Sequence, residues 1–297
     1  MTTIKLRIAT RESPLALWQA NHVAALLRAN AATRGDDVVV ELVPMTTAGD
    51  QRASEPISSF GGKGVFVKEV QAALLHGRAD IAVHSAKDLP SETPPGLALV
   101  AVPERGDPRD ALVGCRLSDL PVGAVVATGS NRRRVQLAAL RPDLVFEELR
   151  GNIATRLHKA GGFDAIVMAT VALERLSVVT DTLDVLSVEQ MIPQVGQGAL
   201  AIEVRADDPN RSVVAALDHP PTRRCVDAER AFLAELGGDC TLPAGAHATL
   251  EGDNVFLNAV LSADSTADRI VRCSVRESDP PVAGRNAAQL LRARLEM

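Results

Sequence analysis

From Ile4 to Arg175 the chain alternates short apolar runs with amphipathic stretches, and few architectures accept that alternation. IKLRIATR reads as a strand. Ser13-Pro14 then supplies a helix N-cap followed by proline at the first helical position, and LALWQANHVAALLRA continues as the helix. DVVVELVPM is a second strand. GVFVKEVQAALLHG is a helix stopped at Gly77, ADIAVHS the strand after it, and LALVAVP another. A second block repeats the theme: DALVG and AVVATGS as strands, NRRRVQLAALR as a helix, LVFEELRG as a strand, NIATRLHKA as a helix, FDAIVMA as a strand and TVALERL as a helix. Strand-helix alternation of this kind predicts sheets covered by helices on both faces.

Two stretches break the pattern. TTAGDQRASEPISSFGGKG is polar, rich in Gly and Ser, and longer than ordinary connections, as lids and loops are. Beyond Pro220 the order changes: a helix (PTRRCVDAERAFLAEL), a loop (DCTLPAG), three strands (AHATLEG, NVFLNAVLS, RIVRCSVR) and a closing helix. That is a small α+β unit with an antiparallel sheet. The strand at VGQGALAIEVR falls where the chain could cross back to the first block.

Composition narrows the function. No apolar run reaches the ~20 residues that span a bilayer. MTTIKLRIATRESPLALWQA is broken by charges and Pro14 and has no apolar h-region, so a cytoplasmic location is the expectation. The four cysteines (Cys115, Cys225, Cys240, Cys273) are far apart, which disfavours a zinc site or a disulfide framework. Formal net charge is −5, Tyr is absent and aromatics are scarce, so a nucleic-acid surface is disfavoured. Of 32 basic residues only Lys5, Lys63, Lys68, Lys87 and Lys159 are lysine. Guanidinium groups are the better grip for carboxylates.

Candidate chemistry clusters at strand ends. Ser85, Lys87 and Asp88 close the ADIAVHS strand, just before Pro90. In open α/β sheets ligands bind at that edge. The plain alternative is a solvated Lys-Asp pair in a turn. Thr128, Gly129 and Ser130 end another strand, and Arg132, Arg133 and Arg134 start the next helix. Cations in a first turn oppose the helix dipole, so these arginines are expected to meet an external anion; the alternative is three side chains splayed into solvent. Arg11, Arg150 and Arg156 sit at strand ends or in the helices that follow. No phosphate-binding glycine motif is present. Cys240, in LGGDCTLPAG, lies in a loop where a thiol is exposed, whereas Cys225 and Cys273 lie in helix and strand patterns and read as structural. Asp88 is the one acid nominated as catalytic; Asp50, Asp80 and Asp164 fit turns or caps better.

RIATRESPLALWQA, GGKGVFVKEVQAALLHGRADIAVHSAKDLP, RGDPRDALV, RRRVQLAALRPDL, LRGNIATRL, VGQGALAIEVR and the Gly-Gly/Cys/Pro loop near 240 together resemble the porphobilinogen deaminase (hydroxymethylbilane synthase) family, in order and over nearly the whole chain. The resemblance implies an α/β fold. Two periplasmic-binding-protein-like domains, 1–103 with 200–217 and 104–199, would face a cleft, and a C-terminal α+β domain at 218–297 would carry the cysteine. It implies a transferase that condenses four porphobilinogen molecules head to tail into hydroxymethylbilane, releasing ammonia each time. A dipyrromethane cofactor would be held by a thioether to Cys240. Asp88 would bond pyrrole N–H groups, protonate the departing amine and stabilise the cationic azafulvene that follows.

Lys87, Asp88, Thr128, Ser130, Arg132, Arg133 and Arg156 would bind the cofactor. Arg11, Ser13, Gln19, Arg150 and Arg156 would bind the substrate, with Ser85 and Gln197 as further nominations. Lys63 and the 46–64 stretch would form a lid, with Phe66 near the pyrroles. No metal, membrane or nucleic-acid partner is implied, and the family is monomeric. Two positions depart from the pattern. Asp239 stands directly before Cys240, where a neighbouring carboxylate raises the thiol pKa and slows attack. Gly129 replaces a common serine. A non-catalytic polycarboxylate-binding protein is the alternative; it would need neither Cys240 nor Asp88.

Overall fold

A computed structural model describes residues 3–47, 64, 66–237, 242–264 and 269–296. The chain divides into two compact units, residues 1–105 with 199–223, and residues 106–198 with 224–297.

The first unit is built on β1 (Thr3–Arg11), α1 (Pro14–Thr33), β2 (Asp37–Met45), α2 (Lys68–Leu75), β3 (Ile81–Ser85) and β4 (Leu97–Ala101). Helix α1 starts as its sequence predicts: Ala16 N–H donates to Ser13 Oγ at 3.4 Å, with Pro14 in the first turn. The sheet order is β2-β1-β3-β10-β4, where β10 (Leu200–Arg205) arrives from beyond the second block. β1 runs parallel to β2 and β3, whereas β10 is antiparallel to β3 and β4.

Alternation along β3 sorts its side chains between two cores. Ile81 and Val83 pack with Ala20, Val23 and Leu27 of α1, while Ala82 packs with Val70, Ala73 and Leu74 of α2. A short helix, α6 (Arg211–Ala215), follows β10 and adds Val214 to the α1 side. Because Ile8 lies opposite Ile81 in a parallel pair, Arg11 and Ser85 end at the same sheet edge.

The second unit contains β5 (Asp110–Val113), β6 (Val125–Ala127), α3 (Asn131–Leu140), β7 (Val145–Glu147), α4 (Ile153–Lys159), β8 (Ala165–Ala169), α5 (Thr170–Arg175) and β9 (Leu183–Val185). Its sheet order is β7-β6-β8-β5-β9. β6 is parallel to β7 and β8, so three carboxyl ends share one edge. β5 is antiparallel to β8 with Asp110 opposite Ala169, which delivers the first residue of β5 to that same edge.

The rest of this unit is α7 (Pro220–Glu235), the antiparallel sheet β11 (Ala244–Glu251), β12 (Asn254–Ser262) and β13 (Ile270–Glu277), and α8 (Pro280–Glu296). Phe232, Leu257, Ala259, Ala287 and Leu291 fill the core between helices and sheet. Cys225 and Cys273 are buried there, and burial pushes the Cys273 thiol above its ordinary pKa. Both match their structural reading. Strand β9 and helix α6 were absent from the sequence expectation, and the helix expected over 64–77 spans only Lys68–Leu75. Among the described residues no helix is long and apolar enough to cross a membrane.

Candidate functional site

In the first unit the polar residues gather at the carboxyl ends of β1 and β3. Ala86–Asp88 forms a single 3-10 turn after β3, tied down where Ala86 N–H donates to the Ala199 carbonyl at 3.0 Å. Lys87 and Asp88 are half-buried in that turn. Arg11 closes β1, and its guanidinium carbon lies 4.4 Å above the Phe66 ring centroid. That stacking orients the cation. Ser13 caps α1, and Gln19 is buried on the same helix. Ser85 ends β3.

In the second unit the shared edge of β6, β7 and β8 holds the rest. After β6, Ser130 N–H donates to Thr128 Oγ1 at 3.2 Å, and Ser130 stands at the N-cap of α3 without spending its hydroxyl on the cap. After β7 comes Arg150, then Gly151 at φ +118°, a conformation in which a Cβ would meet Thr155 at 2.7 Å. That turn starts α4, capped where Thr155 N–H donates to Asn152 Oδ1 at 2.9 Å. It also lets Arg156 Nε reach back to the Gly151 carbonyl at 2.8 Å.

The arginine run has carboxylate partners inside the chain, which the sequence reading did not foresee. Arg132 is 2% exposed and Arg133 is 6% exposed, and both reach Asp110, which is fully buried. Arg132 Nη2 lies 2.8 Å from Asp110 Oδ2. Arg133 donates to Oδ1 through Nε at 3.1 Å and Nη2 at 2.8 Å. Gln197 Nε2 donates to the same oxygen at 2.9 Å. The guanidinium groups also donate to carbonyls, Arg132 to Ile192 at 2.7 Å and Arg133 to Val167 at 2.8 Å.

The third arginine, Arg134, lies 3.7 Å from Glu148, and Arg150 pairs closely with Glu148 as well. All three arginines of the run therefore have carboxylates inside the chain, and Asp88 is not the only acid at these edges. Charge does not balance at the buried cluster: two cations face one carboxylate. Burial pulls the Arg132 pKa down, Asp110 opposes that, and the neighbouring Arg133 adds to it. Arg132 Nε is buried without a hydrogen-bond acceptor.

Sequence reasoning missed Asp110, Glu148 and Arg175. Only Asp110 left a trace, as an acid opening an otherwise apolar strand. Arg175, at the end of α5, donates through Nη2 to the Gly198 carbonyl at 2.7 Å; burial pushes its pKa down to about 10, so it stays charged at neutral pH. Lys63, Cys240 and Asp239 lie outside the described residues, as does most of the 46–64 stretch. Among the described residues no group of three or more His, Cys, Asp or Glu is placed to hold a metal.

Each unit thus carries cations at the carboxyl edge of a mixed sheet, the marks of a protein that handles a small polyanion. Comparison with known families makes this specific. Residues 6–212 match the model of the porphobilinogen deaminase dipyromethane cofactor binding domain, and residues 223–293 match that of the porphobilinogen deaminase C-terminal domain. The chain belongs to the porphobilinogen deaminase family. It is a transferase that polymerises porphobilinogen into hydroxymethylbilane in tetrapyrrole biosynthesis, and dipyrromethane is its cofactor.

Solved structures give looser likenesses. A YaeC-family lipoprotein from Enterococcus faecalis is 14% identical, with 72% of this chain and 90% of that one covered at a TM-score of 0.40. The periplasmic VFT2 domain of Bordetella pertussis BvgS is 16% identical, with 72% and 85% covered at 0.40. A TRAP periplasmic solute binding protein from Ralstonia eutropha is 15% identical, with 77% and 81% covered at 0.39. Likenesses at this level are too loose to carry function.

Proposed function

We propose that Cys240 anchors the dipyrromethane through a thioether and that Asp88 is the acid that drives each condensation. The observation that carries the cofactor reading is the Arg132–Asp110–Arg133 cluster. Two buried cations against one carboxylate leave a positive charge in a dry place, and Arg132 Nε has no acceptor. A further carboxylate, such as the cofactor's acetate or propionate, answers both. Thr128 and the uncommitted hydroxyl of Ser130 add neutral donors beside it. Lys87 and Arg156 complete the cofactor set.

Bound dipyrromethane would supply the pyrrole α-carbon to which the first unit is joined, and each later unit is joined to the pyrrole added before it. Everything else falls to side chains. Arg11, Ser13, Gln19, Arg150 and Arg156 hold the substrate by its two carboxylates and orient it, with Phe66 under Arg11 and Lys63 in a lid. Asp88 bonds to pyrrole N–H groups. It gives a proton to the departing amine, which leaves as ammonia, and its carboxylate then faces the positive charge that develops on the ring. A half-buried acid in a short turn pinned by the Ala199 carbonyl suits that exchange.

This reading takes the chain as a monomer of three domains, 1–103 with 200–217, 104–199 and 218–297. It acts in the cytoplasm without nucleic acid, an assignment the net charge of −5 supports. Intact-mass measurement tests its centre. Protein incubated with porphobilinogen should carry an adduct of two pyrrole units, and Cys240→Ser should lack it. An adduct that survives Cys240→Ser, or a wild type that stays unmodified and inactive, would refute the attachment.

A further inference from the structure

Glu148 is a carboxylate that the proposed chemistry does not use, and it sits on an arginine that the chemistry needs. It follows the last residue of β7. Its Oε1 makes a close ion pair with Arg150 Nη2, and its Oε2 lies 3.7 Å from Arg134 Nη2. The Glu148 side chain is 47% exposed and that of Arg150 is 26% exposed, so water and solutes reach the pair.

Gly129 makes the arrangement possible. A Cβ at that position would lie 2.9 Å from the Leu149 carbonyl oxygen, 3.2 Å from Glu148 Oε1 and 3.8 Å from the Arg150 guanidinium carbon. The contrast with Asp110 is physical. A buried carboxylate holding two buried cations does not let go. An exposed pair is weak and exchanges readily.

We propose that Glu148 is an internal competitor for Arg150. It occupies the guanidinium while no ligand carboxylate is there, and it yields when one arrives, remaining on Arg134. The inference rests on the reading that Arg150 grips the carboxylates of porphobilinogen and of the growing chain. Two effects follow. Arg150 is held in place between ligands, so it is oriented in advance. Each ligand carboxylate binds more weakly than it would to an unoccupied guanidinium, because Glu148 has to be displaced. A site that grips and releases a carboxylate at every addition gains from a loosened hold: substrate affinity is lowered and passage of the chain is eased.

Glu148→Gln and Glu148→Ala in the cofactor-loaded enzyme test this, and both should fold because the side chain lies outside the core. The KM for porphobilinogen should fall roughly two- to fivefold, the range set by an exposed ion pair. Partly extended enzyme-bound chains, resolved on native gels, should persist longer. A KM that is unchanged or raised in both variants overturns the proposal. Arg150→Ala, measured alongside, should raise KM and stall elongation. If it behaves as wild type, the role of Arg150 itself fails. If it is impaired while the Glu148 variants match wild type, only the competitor fails. Adding Glu148→Gln to Arg150→Ala should change nothing further, and a lowered KM there would mean a general charge effect and overturn the proposal.

Discussion

Replacing Asp110 with asparagine removes one negative charge and little volume, and the structure says what that costs. The carboxylate receives Arg132 Nη2 at 2.8 Å, Arg133 at 3.1 and 2.8 Å, and Gln197 at 2.9 Å, with none of it in water. Asparagine offers one acceptor and turns an NH2 group toward a guanidinium donor. Two buried cations are left without a counter-charge. Breaking a buried pair in this way costs about 3–5 kcal/mol. The carbonyls of Ile192 and Val167 still accept from the two arginines, which favours the lower end.

For a unit of this size each kcal/mol moves the melting temperature by about 2–4 °C, so a drop near ~10 °C is expected. Thermal scans by circular dichroism at neutral pH measure it. The companion variant Asp110→Leu/Arg132→Met/Arg133→Met replaces the cluster with apolar groups and should recover most of the stability. It should load no cofactor, which separates folding from binding. A loss under ~1 kcal/mol for Asp110→Asn would refute the reasoning. So would a triple variant as unstable as the single one, because the penalty would then not come from stranded charge.

Asp88→Asn should lower kcat by roughly 10²–10⁴-fold, the usual reach of general acid catalysis, while KM stays within a small factor; steady-state turnover of porphobilinogen reads both, and a kcat near wild type would remove Asp88 from the mechanism. At Asp80, burial pushes the carboxyl upward, but the hydrogen bonds and charge of Arg7 outweigh it and hold the pKa below its ordinary value. A carboxyl depressed in the folded state contributes stability that is present above its unfolded value near ~4 and is lost as pH falls through the folded value. The stability gap between wild type and Asp80→Asn should accordingly be widest near neutral pH and shrink toward pH ~3; a gap that is flat with pH would contradict the assignment.

The elements with a strong local signal were legible. DVVVELVPM is β2 from end to end, and Ser13-Pro14 opens α1 as its side-chain chemistry requires. The three C-terminal strands and their antiparallel order also follow from their spacing. Weak segments were not legible. LDV is three residues on a sheet edge, and RSVVA is barely one turn.

The arginine run was legible only in part. On the helix alone, cations in the first turn are unfavourable, so the reading sent them to an outside anion. Arg132 and Arg133 also have a partner inside the chain, Asp110, more than twenty residues upstream and on an antiparallel strand. Only sheet order brings it there, and sheet order is not written in any local stretch. Glu148 gave no signal at all, because its exposed side chain looks like ordinary surface.

The place of β10 has a consequence for how the chain is made. The first unit's sheet needs Leu200–Arg205 between β3 and β4, yet those residues leave the ribosome about a hundred positions after β4. The β5–β9 sheet is contiguous from Asp110 to Val185 and can close during that wait. Until β10 arrives, β3 and β4 each present an unpaired edge, the kind of surface that captures stray strands. Interruption of synthesis anywhere between residues 102 and 199 would release a half-finished sheet. The same strand brings the Ala199 carbonyl that pins the turn of Asp88, so the proposed acid is held in place only after that late strand is in register.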